Sequence, residues 1–114
     1  MEQSRNEVVL VGRVAVEALQ RAMPSGDLLT SWRLVVDRPR PKRPVPAGVR
    51  PTTVDTIDCV AWAAGVRRTV AGFAAGDVVS VEGALRRRFW RVGSGAQSRC
   101  EVEVVSVKRL RRAS

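Results

Sequence analysis

Val54-Asp55-Thr56-Ile57-Asp58-Cys59-Val60-Ala61-Trp62-Ala63, then residues 64–76, then Val78-Val79-Ser80-Val81-Glu82-Gly83-Ala84-Leu85-Arg86-Arg87-Arg88-Phe89-Trp90 is the stretch that decides the fold. The first piece alternates with period two, which is the signature of a strand. Ile57, Cys59 and Ala61 fall on one face, and Thr56, Asp58, Val60 and Trp62 on the other. The middle piece switches period. Val66, Val70, Phe73 and Ala74 recur at helical spacing with Arg67 and Arg68 turned outward. Gly72 weakens this helix and Gly76 can end it. The third piece is again a Val-rich strand, with a bend expected at Gly83. The order is therefore strand, short helix, strand.

Working outward, Leu28-Leu29-Thr30-Ser31-Trp32-Arg33-Leu34-Val35-Val36-Asp37 is a strand that puts Trp32, Leu34 and Val36 on one face and Ser31 and Arg33 on the other. Trp32 reads as core for that reason. Met23-Pro24-Ser25-Gly26-Asp27 is the turn before it. Residues 6–16 form the first strand, with Gly12 marking a bulge or bend. Beyond Trp90, Gly93-Ser94-Gly95 is a flexible turn, residues 100–107 alternate as a fifth strand, and residues 108–114 form a basic tail. Five strands with one helix between the third and fourth is the order of the oligonucleotide/oligosaccharide-binding barrel, an all-β OB-fold. At 114 residues the chain holds one such domain and no second core.

One segment breaks the pattern. Residues 38–51 carry Arg38, Arg40, Lys42, Arg43 and Arg50, five prolines and no acid. Proline withholds a ladder donor and favours solvated, extended chain. The segment reads as a mobile basic loop, longer than a mere connection requires.

Charge narrows the function. With 20 Lys+Arg against 11 Asp+Glu, the net charge is +9, which calls for a polyanionic partner. There is no histidine, so imidazole chemistry is excluded. Cys59 and Cys100 lack metal-ligand spacing and read as small buried thiols, with no metal or cofactor expected. No stretch reaches the ~18 apolar residues that span a bilayer, and the polar N-terminus is no signal peptide. A cytoplasmic, nucleoid-associated protein with no membrane role is expected.

Single-strand binding needs cations to track phosphates and flat rings to stack bases. Arg86, Arg88 and Trp90 lie at i, i+2 and i+4 of one strand and share a face. Trp62 and Arg33 lie on outward faces of two others. Arg13 on the first strand and Arg38, Arg40, Lys42 and Arg43 of the loop complete the expected DNA-contacting set. Phe73 and Phe89 read as core or interface. No nucleophile has an adjacent base, so no catalytic residue is assigned and no enzyme is expected. The pairs Asp55/Asp58 and Glu101/Glu103 read as solvated or salt-bridged.

Several segments together resemble a known family: Asn6-x-Val8-x-Leu10-Val11-Gly12-x-Val14, Met23-Pro24-Ser25-Gly26, and Gly76 to Trp90 with Glu82-Gly83-x-Leu85-Arg86-x-Arg88-x-Trp90. They look like the bacterial single-stranded DNA-binding protein (SSB), over about residues 6 to 107. The resemblance implies an OB-fold, usually a homotetramer, that binds single-stranded DNA with little sequence preference in replication, recombination and repair. Position by position it implies phosphate and stacking roles for Arg86, Arg88 and Trp90, a stacking role for Trp62 and a DNA contact at Arg33. The chain departs from the family at Thr56-Ile57-Asp58, where a Trp-His-Arg run is usual. The tryptophan often found just after the second strand is replaced by the Arg/Pro loop. In place of an acidic, Phe-terminated tail that recruits partner enzymes stands Leu110-Arg111-Arg112-Ala113-Ser114. The expectation is a tail-less member, a dimer or tetramer through its apolar first strand. Replication or repair proteins stand as candidate partners, although the recruiting tail is absent. The alternatives are a primosome-type OB-fold adaptor working through protein contacts, and an RNA-binding OB module.

Overall fold

The computed structural model describes residues 2–114. Along the chain run β1 (Val8–Val14), β2 (Leu19–Ala22), β3 (Leu28–Asp37), β4 (Val54–Ala61), α1 (Ala64–Ala71), β5 (Val78–Val92) and β6 (Gly95–Arg111). The sheet order is β1-β5-β6-β4-β3-β2, and β1 also pairs with β3. That second pairing closes five strands into a barrel and leaves β2 as a flap on β3.

Closure turns on Gly12. Up to that point β1 pairs with β5, and at Arg13 and Val14 it also meets Val35 and Leu34 of β3. A side chain at Gly12 would strike the Val35 carbonyl, so only glycine lets the strands approach so closely. The other seam is parallel and short, Cys59 beside Val102 and Val60 beside Glu103. Every other pairing is antiparallel.

Inward alternation fills the barrel with Leu34, Val79, Val81, Val102 and Val104, together with Trp32 and Cys59. Trp32 is 3% exposed, in keeping with its place beside Leu34. Burial pushes the Cys59 thiol up to about 12. Val70 and Phe73 bring α1 against the core cluster.

Four expectations are corrected. The chain forms an additional strand, β2, so the helix falls between β4 and β5; β2 is exposed along its length and shows no alternation. The helix ends at Gly72 rather than Gly76, the Gly72 amide donating to the Thr69 carbonyl and the Phe73 amide to the Val70 carbonyl. β6 runs on to Arg111, because Lys108, Arg109 and Arg111 pair with Ser80, Val79 and Val78. Cys100 is exposed, not buried. Of the two readings of Phe89, core and interface, its 66% exposure removes only the core. Cys100 and Phe89 both lie on the outer part of the β5–β6 hairpin, which turns on Gly93 and Ser94 with Gly93 at φ +58°.

The chain end is tied down by Asp77, whose side chain is buried. Its Oδ2 accepts from the Ala74 amide at 2.9 Å and its Oδ1 from the Ala113 amide at 2.8 Å. Arg109 Nε donates to the same carboxylate at 3.2 Å, and its guanidinium lies 5.3 Å from the centre of the Phe73 ring. The two backbone donors, then Arg109, hold the Asp77 carboxyl below the usual carboxylate range. A depressed folded-state pKa gives stability that is present above the ordinary carboxylate pKa and is lost as pH falls through the depressed value. Asp77→Asn should therefore melt below the parent protein at neutral pH, and the gap should close in acid. A gap that stays constant from neutral pH down to acid unfolding would refute the role given to this carboxylate.

Candidate nucleic-acid interface

Cross-strand partners share a face, so the register assembles the site. Arg33 sits opposite Asp58, and Ser31 lies between Leu19 and Val60. On the hairpin, Arg86, Arg88 and Trp90 share their face with Arg99 and Glu101 of β6. The two halves meet across a cavity of about 240 Å³ lined by Trp32, Arg33, Asp58, Arg88, Arg99 and Glu101, among others. A second cavity, about 480 Å³, is lined by Arg21, Met23, Arg88, Trp90 and Arg99. Arg21, Arg88 and Arg99 line both, so the two form one groove from the foot of β3 to the hairpin arm.

The groove brings together Arg33, Arg88 and Trp90 of the expected set. Trp90 is half-buried, with the Arg99 guanidinium 5.8 Å from its ring centre. Arg86 is on the same strand face, one alternation nearer the barrel. Trp62 is 40% exposed and lies just past the end of β4, two residues beyond the groove residue Val60. Its carbonyl accepts from Arg67 Nε at 3.0 Å, and Arg67 also donates to Gln20 of β2 at 3.2 Å. Arg13 is elsewhere: with Asp37 and Arg111 it lines a separate cavity. Arg38 is pinned at the root of residues 38–53, its amide donating to the Thr53 carbonyl at 2.8 Å and its side chain to Asp55 at 2.7 Å. Arg40, Lys42 and Arg43 are exposed on that segment, which has neither helix nor strand.

Most of these cations carry an internal anion. Arg33 Nε lies 3.2 Å from Asp58, Arg86 Nε 3.1 Å from Glu103 and Arg88 Nε 3.8 Å from Glu101. Arg13 holds both oxygens of Asp37 at 3.0 and 3.2 Å. The guanidinium beside each one holds the Asp37 and Asp55 carboxyls below their usual range. The carboxylate pairs of the sequence are thus consumed as ion-pair partners.

Two groove cations were missed by sequence reasoning, Arg21 and Arg99. Arg21 stands on β2, which alternation does not reveal. Arg99 lies before the strictly alternating run that marks the fifth strand. The one available signal was that a hairpin folded at Gly93-Ser94 sets residue 99 opposite residue 88. Among the described residues no group of three or more His, Cys, Asp or Glu is placed to hold a metal ion, and no helix is long and apolar enough to cross a membrane.

The model of the single-strand binding protein family matches residues 5–110. The chain belongs to the single-strand binding protein family. A solved Plasmodium falciparum SSB in complex with ssDNA superposes with a TM-score of 0.78 at 21% identity, covering 96% of this chain and 98% of that one. A small single-stranded DNA-binding protein from Streptomyces coelicolor superposes with a TM-score of 0.62 at 19% identity, covering 90% of this chain and 92% of that one. No curated protein sequence matches this chain. Identities this low carry the barrel across and leave the groove to be read from its own residues. This SSB-family barrel therefore owes its site to the register described above.

Proposed function

We propose that this SSB-family chain coats single-stranded DNA without sequence preference, in DNA replication, recombination and repair. The observation that carries the reading is the continuous groove in which Trp90 stands among Arg21, Arg88 and Arg99 and leads to Arg33. Bases stack on Trp90 and, beyond the β4 end of the groove, on Trp62, while the guanidinium groups take the phosphates. Arg86 and the loop cations Arg38, Arg40, Lys42 and Arg43 extend the basic surface, and Arg13 is a secondary contact outside the groove. The protein binds and does no chemistry. It acts in the cytoplasm, with the nucleoid. The outward valines of β1, Val9 at 68% and Val11 at 52% exposure, support a homo-oligomer. Light scattering should then give a multiple of the 12.5 kDa chain mass, and a monomer mass would remove that part of the reading.

Titration with oligo(dT) tests the main claim. Tryptophan fluorescence should be quenched on binding, because Trp62 and Trp90 stack while Trp32 stays inside. Affinity should fall with salt at a log–log slope of about −0.7 per phosphate neutralised. Absence of quenching at low salt rejects stacking. A matched oligo(U) series separates DNA from RNA preference, since the same groove geometry can take either strand.

A further inference from the structure

The groove presents a charge arrangement that a free protein should avoid. Arg88 and Arg99 are direct cross-strand partners, and like charges so placed destabilise a sheet. Arg21 lines the same place. Against these three cations stands buried Glu101, 3.8 Å from Arg88. Arg21 and Arg99 have no ion-pair partner among the described residues, whereas Arg33, Arg86 and Arg88 each have one. The cations of the groove therefore fall into two kinds.

We infer that Asp58, Glu101 and Glu103 are internal stand-ins for phosphate, that DNA enters the Arg33, Arg86 and Arg88 positions only by displacing them, and that the partnerless Arg21 and Arg99 make the first phosphate contacts. This rests on the single-strand-binding reading and deepens it. A phosphate beside Arg99 and Arg21 relieves the Arg88–Arg99 repulsion and displaces no carboxylate. A phosphate at Arg33 must break a 3.2 Å ion pair, and the released Asp58 then repels the strand. Affinity is thereby held below what the net charge alone would give, and so is its salt dependence. A freed carboxylate beside each bound phosphate leaves less net charge neutralised and fewer counterions released.

The test compares two variants with equal charge change. Asp58→Asn/Glu103→Gln frees Arg33 of the groove and Arg86 beside it. Glu7→Gln/Glu82→Gln removes two charges from residues outside the groove lining. Oligo(dT) and an abasic phosphodiester strand of equal length are titrated across a salt series. Exposed ion pairs of this kind weigh about 1.5- to 5-fold each in an equilibrium constant. The groove variant should therefore bind both strands about 2- to 25-fold more tightly than the parent, beyond any gain of the other variant. Its salt slope should steepen by up to about 0.7 for each freed arginine. Equal gains in the two variants, or no gain in either, overturn the inference. Loss of indole quenching by oligo(dT) reports on stacking alone, and in that event the abasic strand still decides the exchange.

Discussion

Trp90→Ala should weaken oligo(dT) binding by about 5- to 150-fold, the equivalent of about 1–3 kcal/mol for one stacked base. The size of the loss follows from where the ring is. Trp90 sits on the hairpin arm, half-buried, in the larger cavity of the groove, with Arg99 on its face. A base entering there finds a ring already held in place, so little rotamer freedom remains to be lost. The ring is also outside the core cluster, so removing it should leave the melting temperature nearly unchanged. Trp90→Phe keeps a stacking face and should recover most of the affinity. Fluorescence anisotropy with labelled oligo(dT) reads both variants directly. An alanine variant that binds within twofold of the parent would mean that stacking at this position is not what holds the strand.

Gly83→Val should destabilise the barrel by at least about 3 kcal/mol, the upper end of what overpacking costs. The register between β5 and β6 shifts at Glu82 and Gly83, and the backbone there presses against β6. A Cβ at Gly83 would overlap the Glu103 carbonyl oxygen and come within 2.8 Å of the carbonyl carbon and 3.0 Å of Val104 Cα. These are backbone atoms that no rotamer change can move. The cost is separation of the two longest strands, next to the buried Val81 and Val104. With total stabilities of about 5–15 kcal/mol typical, such a variant retains only a fraction of its margin. Denaturant unfolding measures it, and a midpoint equal to the parent's would show that β5 can shift at this point without penalty.

Much of this was legible before the structure, for reasons that particular residues make plain. Trp32 declared itself core because its strand face also carries Leu34, and the same rule put Arg86, Arg88 and Trp90 together. Strands at residues 54–63 and 78–90 flanking a helical interval, with three more strands around them, gave the order of the barrel. Other features were illegible because nothing local records them. β2 exists through its pairing with β3, and its four exposed residues carry no burial pattern. Lys108, Arg109 and Arg111 look like a solvated tail, yet their backbone continues the ladder with Val78 to Ser80. Cys100 suggested an interior position by its chemistry and Phe89 a core or interface one, but the arm on which they lie reaches past the barrel. The ion pairs were half legible: Asp58 and Glu103 were recognisable as partners for something, and only the register shows that Arg33 and Arg86 are those partners.

The short parallel contact of Cys59 and Val60 with Val102 and Glu103 has a consequence for thermodynamic coupling. It is one of the two seams, with β1–β3, that stitch the β2-β3-β4 half of the wall to the β1-β5-β6 half, and the cavity with Arg33 and Asp58 on one bank and Arg88 and Glu101 on the other straddles it. A polymer lying there acts as a clasp across this short stitch in the wall. Occupancy and barrel integrity are consequently linked functions: whatever loosens this joint lowers affinity, and a bound strand raises the temperature at which the joint opens.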